Sequence, residues 1–133
     1  MKKASEVLFL VGKIVSFVVA GILILTAVAH LVVGIAYADE IVNSTANAGA
    51  NLDEAILIVR VTFVTLGTIF IIWGILAIIN GFISGLALKE PSQKNLVINI
   101  VFGILSCVEI NLVGAIFGLI ANGKEKESKQ LDL

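Results

Sequence analysis

The chain has 133 residues, 59% of them hydrophobic and only 14% charged, with a formal net charge of −1 and a mean hydropathy of +1.09. A soluble domain carries about 25% charged residues, so this composition argues for a lipid bilayer as the solvent. No basic stripe interleaved with aromatics exists to meet nucleic acid, and a single cysteine, Cys107, excludes an intramolecular disulfide or a cysteine-built metal site.

Three apolar tracts organise the chain. The first, over 14–38, comes after Lys2, Lys3 and Lys13. It exceeds the roughly 20 residues needed to cross about 30 Å of hydrocarbon. Lipid tolerates no unpaired backbone, so the tract is expected to be a helix, over about 7–37. Lys2, Lys3 and Ala36-Tyr37-Ala38 before Asp39 also resemble a secretory signal with its cleavage site. The apolar run is too long for the usual signal core of about 7–15 residues, which favours a retained helix.

The stretch 39–54 carries Asp39, Glu40, Asp53 and Glu54 and no lysine or arginine. Asn51 with Glu54 reads as a capping box that starts a second helix, expected over 53–88 and interrupted by Arg60 and Asn80. Lys89, Pro91 and Lys94 mark a break, and Lys124, Lys126 and Lys129 come after the last apolar tract. The positive-inside rule then places both termini and the 89–95 turn in the cytoplasm, with loop 39–54 extracellular.

The third tract, 96–122, has Glu109 and Asn111 at its middle. One crossing would put Glu109 near the bilayer centre, where an acid is costly, and would send the tail lysines outside. A hairpin, with helices over about 95–108 and 110–123, returns all eight lysines to one side. Its arms are short and no glycine or proline marks the turn. The lysine rule favours the hairpin. The expected architecture is therefore an all-α integral membrane helical bundle in one domain, 1–133, with two long transmembrane helices and a C-terminal helical hairpin. Three spans are the alternative.

Small residues recur at helical spacing. Gly67, Gly74 and Gly81 come after Arg60 every seven residues on the second helix, and Ala20, Ala27 and Gly34 after Lys13 on the first, flanked by Ser16, His30 and Tyr37. Gly114 and Gly118 repeat the pattern on the last arm, and Asn99, Gly103 and Ser106 share a face on the third. Such stripes let helix backbones approach where lipid supplies no hydrophobic drive. Of the few polar groups, Arg60 and Glu109 are expected to pair, with His30 and Asn111 nearby, because each charge is costly alone in lipid. A structural clasp outweighs a proton or ligand site, because no second acid or metal-ligand set converges there. Arg60 can otherwise snorkel toward Asp53 or Glu54. Trp73 reads as a packing residue and Cys107 as an inert apolar one. Asn43-Ser44-Thr45 formally matches a glycosylation acceptor.

The segment from Asn111 through Gly123, Asn-Leu-Val-Gly-Ala-Ile-Phe-Gly-Leu-Ile-Ala-Asn-Gly, continued by Lys-Glu repeats to Lys129, resembles the ending of small, uncharacterised four-span membrane proteins of Gram-positive bacteria. That resemblance implies no catalytic residues. No nucleophile-elbow, phosphate-loop or zinc-protease motif occurs, and no cofactor is implied. The expected function is a non-catalytic accessory or structural subunit that packs with copies of itself or other membrane proteins. A holin-like or other pore-forming or transport protein is the alternative.

Overall fold

A computed structural model describes residues 2–45, 51–106 and 108–131, with the side chains of 129–131 excepted; Cys107 lies outside the described residues. Among these, every regular element is helical. Helix α1 spans Lys2–Val32 and passes through a π-helical turn, Val33–Tyr37, into α2, Ala38–Thr45. Helices α3 (Leu52–Lys89), α4 (Gln93–Leu105) and α5 (Glu109–Leu131) complete the chain. The continuous 2–45 rod and α3 are both long and apolar enough to cross a membrane.

The helix starts obey local chemistry. Asn51 caps α3, its side-chain oxygen accepting from the Glu54 N–H at 3.4 Å while its amide donates to the Glu54 carboxylate at 3.5 Å. Pro91 ends the preceding run, and Ser92 caps α4 by accepting from the Asn95 N–H at 3.3 Å. The tract 96–122 is a hairpin, so four helices stand where three spans were the alternative. Two boundaries differ from expectation. The first helix does not stop near residue 37: no glycine or proline interrupts 38–45, and the chain continues through the π-helical turn into α2. The extracellular loop expected over 39–54 is thus helical over 39–45 and 52–54. The last helix runs past 123, its charged end 124–131 remaining helical.

The chain gathers into two compact units, residues 1–20 with 75–133, and residues 21–74. In the first unit, α1 runs antiparallel to both α3 and α5, and α4 turns back on α3. Its apolar centre is Phe9, Ala87, Leu96 and Ala115, all at most 1% exposed. Ser5 donates to the Gly114 carbonyl at 2.9 Å, and Asn122 donates to the Pro91 carbonyl at 2.8 Å. These contacts bring the start of α1, the α3–α4 turn and the 114–122 stretch of α5 to one end of the unit. In the second unit, α1 and α2 pack on the first half of α3. Gly34 meets Phe63 and Val64, and Gly67 meets Leu31 and the Ala27 carbonyl.

Candidate functional site

An asparagine amide carries two donors and an oxygen with two lone pairs, and burying it without partners is costly. In the first unit this happens repeatedly: Ser16, Asn80, Ser84, Asn99 and Asn111 are each 0% exposed. Asn80 and Ser84 lie one turn apart on α3, and Asn99 lies two turns from Ser106 along α4. Asn80 donates to the Ser106 hydroxyl at 2.8 Å, and Ser84 donates to the Asn99 amide oxygen at 3.1 Å and to the Asn80 carbonyl at 2.9 Å. On the opposite side of the hairpin, Asn111 donates to the Ser16 hydroxyl at 3.0 Å.

These side chains hold the hairpin tip. Ser106 ends α4, its N–H and hydroxyl both bonded to the Phe102 carbonyl. The Val108 N–H then reaches Gly103, and the Asn111 N–H reaches Val108. A Cβ on Gly103 would sit 3.2 Å from the Leu112 nitrogen, so a glycine here lets α5 close against α4. The tip lacks its own glycine or proline and is instead clasped by Asn80 through Ser106. Three amide atoms of the network, Asn80 Oδ1, Asn99 Nδ2 and Asn111 Oδ1, find no hydrogen-bond partner among the described residues. Amide and hydroxyl side chains carry no charge near neutral pH, so what the network makes is neutral hydrogen bonds between helices.

The four polar residues singled out from the sequence have separate surroundings. Arg60 meets Asp39 at 2.9 Å, with side chains 47% and 63% exposed; that carboxylate takes the place expected for Glu109. The continuation of the first helix through 45 carries Asp39 into reach. Glu109 belongs to the other unit, exposed in the first turn of α5, where the helix N-terminus favours a negative charge. Asn111 is paired with Ser16. His30 lies 2.8 Å from the Thr26 carbonyl through Nδ1. A carbonyl only accepts, so Nδ1 carries the proton. Its ring packs against Phe63 and Phe70, with centroids 5.6 and 5.1 Å away.

Ala20, Ala27, Gly34, Gly67, Gly74, Gly81, Gly114 and Gly118 are all buried. Gly81 lies under the Phe17 ring, and Gly118 against Leu96 and Ser5. Trp73, expected to pack, is instead 46% exposed, one residue round the helix from buried Gly74. The asparagines Asn80 and Asn99 escaped selection as site residues. Their spacing to Ser84 and Ser106 was the available signal. Among the described residues no group of three or more His, Cys, Asp or Glu could hold a metal ion. No family model, curated protein or solved structure matches the chain.

Proposed function

We propose that this chain is a multi-pass integral membrane protein acting as a non-catalytic helical subunit, assembled with copies of itself or with other membrane proteins. One observation carries the reading: the distribution of polarity is inverted relative to a water-soluble fold. Asn80, Asn99 and Asn111 are fully buried, while Ile14, Ile22, Leu25, Ile58, Ile72 and Phe82 are more than half exposed. Only 6% of the most apolar window of α3 is buried, unlike the core helix of a soluble protein. Water would penalise this arrangement by the area of apolar surface left exposed; hydrocarbon would not.

The lysine rule gives the orientation, with both termini and the 89–95 turn cytoplasmic and the acidic 39–54 segment outside. The 13 residues of α4 extend about 20 Å, short of a full crossing, so the hairpin enters from the cytoplasmic side and returns. Irregular backbone at such a tip is tolerated where protein surrounds it, which is the role of Asn80, Ser106 and Asn111. The absence of a convergent acid, base or nucleophile in the network favours an assembly role over catalysis. The resemblance of the C-terminal segment to small four-span proteins points the same way.

The second reading, a holin-like or other pore former, draws on the three amide atoms that have no partner among the described residues around the hairpin. A water-filled path needs polar groups along its length, and here they cluster around one tip. The test is to express the full chain, extract membranes with alkaline carbonate, purify in mild detergent, identify co-purifying proteins and measure ion leakage from liposomes. Retention in the membrane and a stable assembly without leakage are expected. Leakage abolished by Glu109→Gln would transfer the assignment to the pore reading.

A further inference from the structure

Beside the network, a groove of about 500 Å³ opens on the first unit, lined by Lys13, Phe17, Phe82, Gly85, Leu86 and Lys89. Its floor is aromatic and aliphatic: Phe17 and Phe82 meet edge to face with centroids 5.4 Å apart, and Phe82 and Leu86 are exposed. Its charge is entirely positive. The Lys13 side chain lies along Gly85, with Cδ, Cε and Nζ 3.6–3.7 Å from where a Cβ would stand. Gly85 precedes Lys89 by one helical turn, so Lys13, which lies against Gly85, and Lys89 line neighbouring stretches of the groove. Neither lysine forms an ion pair with a described residue. Lys89 closes the last turn of α3, and the helix C-terminus there favours a cation without neutralising it.

We propose that this groove binds one anionic phospholipid, its phosphodiester held between Lys13 and Lys89 and its acyl chain laid over Phe17, Phe82 and Leu86. The proposal rests on the reading of the chain as a membrane protein. Two unpaired cations beside an exposed apolar surface match an amphiphile that carries an anion at one end and hydrocarbon at the other. A free phosphate would use the lysines and leave the aromatic floor uncovered. The position of Lys13 fits the same chemistry. Eleven residues inside the helix from Lys2, its alkyl stem lies against α3 at Gly85, covering apolar surface with its methylenes as a lysine does when its ammonium reaches for the headgroup layer.

The experiment uses the full chain in nanodiscs of phosphatidylcholine doped with phosphatidylglycerol, with bound lipids counted by native mass spectrometry. Wild type should retain phosphatidylglycerol over phosphatidylcholine. Each of Lys13→Gln and Lys89→Gln should lower that preference roughly fivefold, and the double variant about 30-fold, as expected for two lysines near an anionic surface. Lys13→Arg with Lys89→Arg should restore it, and circular dichroism of every variant verifies the fold. An unchanged preference in the folded double variant overturns the proposal. So does loss of bound lipid in millimolar inorganic phosphate, which would identify a simple anion site. A dimer that excludes lipid from wild type assigns the groove to a second copy and also overturns it. Failure of the underlying membrane reading looks different: wild type would then be released from membranes by carbonate before any lipid is counted.

Discussion

The amide of Asn111 on α5 rests on the bare backbone of Gly12 on α1, and its oxygen occupies the place where a Cβ on Gly12 would stand. The same amide donates to Ser16 one turn further along. A glycine on one helix and an asparagine on another thus set how closely α1 and α5 approach.

Gly12→Ala should therefore displace Asn111 and break its bond to Ser16, costing about 1–3 kcal/mol. Reversible unfolding in mixed detergent micelles measures the loss. Asn111→Ala removes the obstruction, so the double variant should be far less damaged than the sum of the singles. Strict additivity would mean the two side chains do not share that space.

The clasp between Asn80 and Ser106 holds the hairpin tip from α3. Asn80→Ala should cost about 0.5–2 kcal/mol, the range for interhelical hydrogen bonds in membranes. A double-mutant cycle with Ser106→Ala isolates the pair. Hydrogen exchange at Val108 and Asn111 should accelerate in Asn80→Ala, because their backbone bonds close the same tip.

In the second unit, a Cβ at Gly67 would lie 2.8 Å from the Leu31 side chain and 3.1 Å from the Ala27 carbonyl. A carbonyl on a helix cannot step aside as a side-chain end can. Gly67→Leu should separate α1 from α3 and lower thermal stability, whereas Gly21→Leu, with nothing within 4 Å of its Cβ, should be tolerated. Equal effects at the two positions would contradict the packing described.

The Arg60–Asp39 pair is half exposed on both sides, and water screens such a contact. Asp39→Asn should change stability by less than about 1 kcal/mol, and the difference should shrink further in high salt. A loss of several kcal/mol would require a partner for Arg60 beyond Asp39.

Much of the architecture was legible in the residues alone. Apolar tracts longer than a bilayer, the Asn51–Glu54 cap, the break at Pro91 and the return demanded by the tail lysines were enough to expect two long helices and a hairpin. Burial of the small-residue stripes was not decided at that level. Helix α3 is apolar around its whole circumference, and such a helix does not announce which face it packs. Hydrogen-bond partners were less legible still, because they depend on the register between helices, and register has no local signature.

Tertiary structure alone decided the partner of Arg60: docking of the first helix on α3 delivered Asp39 to it, while Glu109 starts α5. It also turned Asn80 and Asn99, one an apparent interruption and the other a face-mate of Gly103, into the polar centre of the first unit. Composition and spacing report how many helices a chain forms, because each helix satisfies its own backbone. Which side chains meet is settled only when helices dock, because a buried amide is costly wherever its partner is not within about 3 Å.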